Sequence, residues 1–162
     1  MSAIARAVIY ATLFIAFFLV YLPARVLQQA GIQAPRALGV AQGTGLLVTI
    51  AGAALAITCV LTFALVGHGT PAPFDPPRRL VISGPYGWVR NPMYLGAWLV
   101  LGGAALYYES VALALFWLAF IATTILLVHV YEEPALRRQF GAEYDTYCAA
   151  VQRWRPRRPA EI

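Results

Sequence analysis

The chain has 162 residues, of which 60% are hydrophobic and 12% charged, and its formal net charge is +5. This length suits one domain, and the apolar residues gather into long runs, which indicates an integral membrane protein and excludes an ordinary soluble one. Every basic residue is an arginine that lies near an apolar run. Membrane orientation therefore explains the positive charge, and we expect no nucleic-acid partner.

Four apolar runs follow one another along the chain and predict an all-α integral membrane protein with about four transmembrane helices. As a helix, the second run is about 34 Å long, which is enough to cross a bilayer. The third run is short, and its three-residue link to the fourth predicts a tight helical hairpin. The runs are roughly Ala7 to Leu22, Thr44 to Val66, Met93 to Tyr107 and Val111 to Val130.

The distribution of arginine predicts the orientation of these spans. With four crossings, only Arg25 and Arg36 lie on the side opposite to the N-terminus. Because basic residues concentrate on the cytoplasmic side, we expect both termini in the cytoplasm and the protein in the plasma membrane, which in a bacterium is the inner one. The arginines on the N-terminal side are Arg6, Arg78, Arg79, Arg90, Arg137, Arg138, Arg153, Arg155, Arg157 and Arg158.

Small residues and cysteines carry weaker signals. Gly52 and Ala56 have the small-xxx-small spacing that permits close helix contact, either inside the molecule or in an oligomer. Cys59 falls in a predicted span and Cys148 in the C-terminal tail, so we expect no disulfide. The sequence has no metal-ligand spacing, and we expect no metal.

The stretch GPYGWVRNPMYLG, residues 84 to 96, brings polar residues to the mouth of the third run. Asn91 suits a helix cap and Pro92 the first helical position, so a helix should begin here. Its free backbone N–H groups, with Arg90 and Tyr86, predict an anion site. The alternative is an interfacial anchor, in which arginine binds lipid phosphate and aromatic rings lie in the headgroup region.

Two adjacent carboxylates, Glu132 and Glu133, follow the fourth run, where they need partners. Pro134 disfavours a continuous helix there, so we expect a kink or a restart with both carboxylates facing positive charge. The alternative is a simple pair of Glu133 with Arg137 one turn on. His129 lies one turn earlier, and either joins this network or is an interfacial residue.

Beyond the carboxylates, Leu136, Phe140, Tyr144 and Cys148 recur at a spacing of four. This pattern predicts a cytoplasmic amphipathic helix, interrupted or capped at Gly141, that lies on the membrane or on the protein. A second loop, Gly67 to Pro77, is too rich in glycine and proline to be helical, and its His68 has the same two alternatives as His129.

Two of these stretches resemble the signatures of one family group. Gly84-Pro85-Tyr86 followed by Arg90-Asn91-Pro92-Met93-Tyr94-Leu95-Gly96 resembles the GPYxxVRHPxYxG signature of the isoprenylcysteine carboxyl methyltransferase and phospholipid methyltransferase families. The run from Glu132 to Tyr147 resembles their second signature. The two motifs lie in the right order, and the resemblance covers about residues 67 to 156.

The resemblance implies an isoprenylcysteine carboxyl methyltransferase-like membrane enzyme. S-adenosylmethionine would be the methyl donor and S-adenosylhomocysteine the product. The acceptor would be lipophilic and would arrive from the bilayer. A single domain, 1–162, would comprise two spans (1–66), a cytoplasmic cofactor loop (67–92), the hairpin (93–130) and a segment that closes the cofactor pocket (131–162).

The resemblance also implies roles for individual residues. Arg90, Glu132 and Glu133 would be catalytic, with the carboxylates accepting from ribose or ammonium or orienting the acceptor. Gly84 and Gly96 would allow close approach, and Tyr144 and Tyr147 would help to close the slot for adenine. The implied cofactor-binding residues are Leu80, Val81, Gly84, Pro85, Tyr86, Arg90, Asn91, Pro92, Tyr94, Leu95, Gly96, Glu132, Glu133, Tyr144 and Tyr147.

The chain departs from the family pattern at two places. Asn91 replaces the usual histidine, and Ala150 stands where the family commonly has an arginine suited to an acceptor carboxylate, with Arg153 three residues further on. Whether Arg153 substitutes is open, and so is the choice between a carboxylate, an amine and a thiol acceptor.

Three other functions compete with this interpretation. The nearest is a phospholipid N-methyltransferase, to which Gly67-His68-Gly69 adds a weak GxG resemblance. An NADPH-dependent membrane reductase related to the sterol reductases is more distant. A membrane scaffold or cofactor-binding regulator without catalysis is the third.

Overall fold

The computed structural model describes residues 9–10, 12–67 and 79–156, and these ranges contain helices and no strand. Three of the helices are long and apolar enough to cross a membrane, which confirms an all-α membrane fold, and α3 is a shorter apolar helix. His68 and Arg6, Arg78, Arg157 and Arg158 lie outside the described residues. The helices are α1 (Thr12–Gln29), α2 (Val40–Gly67), α3 (Pro92–Tyr107), α4 (Val111–Phe140) and α5 (Ala142–Ala150), with a 3₁₀ turn at Gly84–Gly87 before α3.

Helix α4 runs ten residues past the apolar stretch that predicted it. Pro134 does not break it, because the helix widens into π-helical turns over Val128–Glu132 and resumes as a regular α-helix at Glu133. Proline then lies in the first turn of the resumed segment, where its missing N–H needs no partner. The expected kink or restart is therefore a change of helical pitch at the two carboxylates.

Helices α2 and α3 touch through their glycines. A Cβ atom added to Gly52 would lie 2.6 Å from the Gly96 carbonyl oxygen, and one added to Gly103 would lie 2.6 Å from the Gly45 carbonyl oxygen. No side chain fits at such distances, so the two backbones are in direct contact. The small residues of α2 are thus used for internal packing, and Gly96 faces α2 across this contact.

The end of the molecule opposite the C-terminal helix is closed by the predicted hairpin between α3 and α4. Ser110 caps α4 by accepting from the Leu113 amide at 3.1 Å. The buried Gln42 at the start of α2 donates to the Glu109 carboxylate at 2.9 Å and to the Tyr107 carbonyl at 3.3 Å. These bonds tie the start of α2 to the hairpin, so that α2 and α4 both run antiparallel to α3.

At the other end, α4 turns into α5 at Gly141, whose φ of 53° lies in the left-handed region that favours glycine. Helix α5 packs its buried Tyr144 and Tyr147 against Leu80 and Ile82 of the loop before α3. The predicted amphipathic segment is therefore interrupted at Gly141 and lies on the protein. This packing brings the two signature stretches together.

Candidate active site

A cleft lies where the end of α2, the loop before α3, the end of α4 and helix α5 meet. Nine of its residues were predicted from the sequence as site residues, and Phe63 and Leu136 were not. The sequence gives Phe63 no signal, because it lies in a featureless apolar run. The cleft is lined by Phe63, Leu80, Val81, Tyr86, Arg90, Asn91, Glu132, Glu133, Leu136, Tyr144 and Tyr147.

Glu133 lies between two arginines at the centre of this cleft. It is 8% exposed and receives two bonds from Arg153, Nε to Oε1 at 2.7 Å and Nη2 to Oε2 at 2.5 Å. Arg90 approaches the same carboxylate, with Nη2 at 3.2 Å from Oε1. A buried carboxylate needs this compensation, and the hydrogen bonds to it raise the pKa of Arg153.

The simple pair of Glu133 with Arg137 is wrong. Arg137 turns away and binds Asp145, with Nε 2.7 Å from Oδ1, at an exposed position between α4 and α5. Glu133 instead faces the inside of the molecule, where the arginines of other segments reach it. The carboxylate is thus part of a contact between distant segments and not of a local helix pair.

Glu132, the adjacent carboxylate, has a different partner. The Tyr94 hydroxyl of α3 donates to its Oε1 atom, and none of the described arginines forms an ion pair with it. Consecutive residues of a helix point about 100° apart, so the two carboxylates face different neighbours. One carboxylate is neutralised by arginines and the other is held by a tyrosine.

Aromatic side chains form the apolar wall of the cleft. The buried Tyr86 ring lies 5.2 Å from the Phe63 ring, and Tyr147 donates its hydroxyl proton to the Tyr86 carbonyl at 2.7 Å. Burial raises the pKa of Tyr86, Tyr144 and Tyr147 well above its ordinary value. These tyrosines are therefore neutral, and they present ring faces and hydroxyl dipoles without charge.

Arg90 is held by the tail as well as by Glu133. Its amide donates to the Gln152 carbonyl at 2.9 Å, and its Nη1 donates to Cys148 Sγ. Its Nε is buried without a hydrogen-bond partner. The guanidinium thus keeps one donor unused beside the cleft.

Asn91 does not cap α3 with its side chain, contrary to the prediction. It occupies the N-cap position, but its Nδ2 donates to the Arg153 carbonyl at 3.2 Å. Pro92 does begin the helix, as predicted. The cap was wrong because the tail offers the side chain an acceptor that local sequence cannot reveal.

Several predicted site residues support the cleft without lining it. Gly84 has φ of 60° and opens the 3₁₀ turn, and a Cβ there would lie 3.3 Å from Thr62 of α2. At Gly84, as at Gly96, the element that comes close to the glycine is α2. The lining also lacks Pro85, Pro92, Tyr94 and Leu95. His129 lies outside it as well and is exposed.

Comparison with protein families places these residues in a known group. The family model described as phospholipid methyltransferase matches residues 40–143, from the start of α2 into the first residues of α5. It covers Arg90, Glu132 and Glu133 and ends before Tyr144. No curated protein and no solved structure matches the chain. The chain belongs to the phospholipid methyltransferase family and is an integral membrane methyltransferase.

Proposed function

We propose that this protein transfers a methyl group from S-adenosylmethionine to the amine headgroup of a phospholipid. The observation that carries the proposal is the division between two adjacent carboxylates: Glu133 lies between two arginines, whereas Glu132 is held by the Tyr94 hydroxyl. Such a pair offers one carboxylate paired with arginines for binding and one carboxylate without an arginine among the described residues for proton transfer. Family membership supports methyl transfer and a lipid acceptor.

The chemistry of the cleft fits S-adenosylmethionine. The unpartnered Nε of Arg90 is a donor for the carboxylate of the cofactor's methionine part. Glu133 is an acceptor for its ammonium group, and the Phe63 and Tyr86 rings offer a face for adenine. Arginine, carboxylate and aromatic wall thus match the three kinds of group that this cofactor presents.

When bound, the cofactor supplies an electrophilic methyl group on a sulfonium, which the acceptor takes in line. A protonated amine has no free electron pair, so it must lose a proton before it attacks. Glu132 is suited to take that proton because none of the arginines that the structure describes neutralises it. Tyr94 fixes the direction of the carboxylate towards the acceptor.

The charge of the cleft favours an amine over a carboxylate acceptor. Arg153, the candidate for the arginine that the family has at the position of Ala150, is engaged by Glu133 through two hydrogen bonds. A carboxylate acceptor would meet Glu132, which forms no ion pair with a described arginine, and would be repelled. An isoprenylcysteine-type acceptor is therefore the alternative, and it requires Arg153, once released from Glu133, to pair with the acceptor carboxylate.

The site faces the cytoplasm in this proposal. Its residues lie at the end of α2, the start of α3 and the end of α4, which are on one side of the bundle. Arg79, Arg90, Arg138 and Arg153 lie at that end, and the arginine excess there supports a cytoplasmic orientation in the plasma membrane. The methyl donor is a cytosolic metabolite and would reach the cleft directly.

Methyl transfer to vesicle lipids tests the proposal. Protein reconstituted in phosphatidylethanolamine vesicles with methyl-labelled S-adenosylmethionine should transfer label to the lipid. In vesicles of phosphatidylcholine alone, whose nitrogen is already fully methylated, the lipid should stay unlabelled. Glu132→Gln should abolish labelling while the protein still binds S-adenosylhomocysteine. Labelling of an isoprenylated cysteine acid and not of the amine lipid would show that the acceptor is a carboxylate. Binding of NADPH, without binding of S-adenosylhomocysteine, would indicate a reductase and not a methyltransferase.

A further inference from the structure

The segment after α5 crosses the site although it has no regular secondary structure. Val151 is 2% exposed and anchors it against Tyr144 and Tyr147. The backbone carbonyl of the next residue, Gln152, accepts a hydrogen bond from the Arg90 amide at 2.9 Å. The chain therefore leaves the packed end of α5 and passes directly over the start of α3.

Two side chains fasten this segment to other helices. Arg153 makes its two hydrogen bonds to the buried Glu133. The Trp154 ring stacks on Trp98 of α3, with centroids 4.7 Å apart and planes inclined by 26°. Trp98 is itself fixed, because its Nε1 donates to Thr124 of α4 at 2.9 Å. The segment is thus attached both to α4, at Glu133, and to α3, at Trp98.

The space inside the cleft is small. It amounts to about 50 Å³, room for a few water molecules and far too little for a nucleoside-sized ligand. Separation of helices α2 and α3 would lose the close packing of their two backbones. The C-terminal segment contacts the lining residues Arg90, Asn91 and Glu133 from outside the cleft. It is the neighbouring part that can move, since it is irregular and the Arg153 side chain is 34% exposed.

We propose that Gln152–Trp154 is a strap that competes with a cationic ligand group for Glu133. In the closed position the Arg153 guanidinium holds the carboxylate, and in the open position the ligand's ammonium group takes its place. This inference rests on the proposed function, in which that ligand is S-adenosylmethionine. Arg90 stays on Glu133 in both positions, so the buried carboxylate never loses all its compensation.

The strength of the contacts suits such an exchange. An ion pair with a partly exposed arginine contributes little net stability, because solvent screens it and the long side chain loses freedom. The incoming ammonium restores an equivalent pair. The Trp98–Trp154 stack then helps to set how often the strap is open, since the stack and the hydrogen bond from Asn91 to the Arg153 carbonyl are the remaining side-chain contacts that the strap must break.

Three variants separate this account from a purely electrostatic one. Arg153→Ala removes the competing cation, and Trp154→Ala loosens the strap while it leaves both charges of the ion pair in place. Arg155→Ala is the matched control, because it removes an equal charge from an exposed residue of the same segment. Hydrogen exchange of the Arg90 amide, which donates to Gln152, reports strap opening without any ligand.

Arg153→Ala and Trp154→Ala should both speed exchange of the Arg90 amide and bind S-adenosylhomocysteine about three- to tenfold more tightly. Arg155→Ala should change neither, and exchange in the middle of α3 should stay slow in all variants. Unchanged exchange at Arg90 in both strap variants would overturn the strap. So would faster exchange with weaker binding, since Arg153 would then be a ligand contact.

Failure of the proposed function is distinguishable from failure of the strap. If wild type and all variants ignored S-adenosylhomocysteine, the proposed cofactor would be wrong, and the exchange rates alone would decide on the strap. If Arg153→Ala bound S-adenosylhomocysteine more tightly and Trp154→Ala did not, removal of the charge would explain the result by itself. That outcome would also overturn the strap.

Discussion

The two ends of α3 are packed in opposite ways. Along most of its length, glycines bring its backbone into contact with α2, and that interface contains no charge. At its N-terminal end, Arg90 and Tyr94 meet two carboxylates of α4 and a loose C-terminal segment. The first region cannot shift without a clash, whereas the second is built from contacts that a ligand can replace. A rigid pair of helices thus carries an adjustable site.

The glycine interface should be the most sensitive part of the molecule. In Gly103→Ala the new Cβ would lie 2.6 Å from the Gly45 carbonyl oxygen, and the backbone cannot yield. We expect a loss of about 3 kcal/mol or more, seen as a lower melting temperature in detergent. Gly43→Ala on α2 is the control, because its Cβ meets nothing within 4 Å. Equal melting temperatures for the two variants would refute the tight interface.

Glu133→Gln should have the next largest effect on stability. It leaves Arg90 and Arg153 without their shared carboxylate, and we expect a loss of about 2 kcal/mol, reduced from the fully buried case because Arg153 is partly exposed. Chemical denaturation in micelles measures it. Glu143→Gln changes an exposed carboxylate of α5 and should leave stability unchanged. A fully stable Glu133→Gln protein would mean that the arginines do not depend on this residue.

Tyr94→Phe should affect the reaction more than the fold. It keeps the ring but removes the hydroxyl that orients Glu132, so turnover should fall about tenfold while S-adenosylhomocysteine affinity stays within about twofold. Tyr107→Phe, at the other end of the same helix, should leave both values unchanged. A loss of binding in Tyr94→Phe, with turnover preserved at saturation, would assign Tyr94 to the cofactor and not to Glu132.

The smallest effect belongs to Arg137→Ala. Its ion pair with Asp145 is exposed on both sides, so solvent screens it, and we expect an unchanged melting temperature and unchanged turnover. Measured beside Glu133→Gln, this variant tests whether burial, and not the presence of an ion pair, decides the energetic weight of a contact. A destabilisation equal to that of Glu133→Gln would contradict the comparison.

The helices and their order could be predicted from the sequence because long apolar runs have one stable arrangement in a membrane. The hairpin between α3 and α4 and the interruption at Gly141 were also predictable, from a three-residue link and from glycine. The passage of α4 through Pro134 was not, since it depends on a local change of helical pitch.

The site could be predicted in its composition but not in its pairings. Arg90, Glu132 and Glu133 stand in recognisable motifs, and they do line one cleft. The partner of Glu133 is Arg153, twenty residues away, and no local spacing reveals that contact. For the same reason Asn91 was assigned to a helix cap although it binds the tail. Contacts between distant segments depend on tertiary packing, which a single sequence does not display.

Calorimetric titration of the purified protein in detergent with S-adenosylhomocysteine, for wild type and Glu133→Gln, tests the central claim most directly. The account predicts micromolar binding by wild type and a loss of at least tenfold in the variant, since Glu133 holds the ligand's ammonium group. The variant's circular dichroism should match that of wild type. Absence of binding in folded wild-type protein, or equal affinity in both proteins, would contradict the assignment of this cleft to the methyl donor.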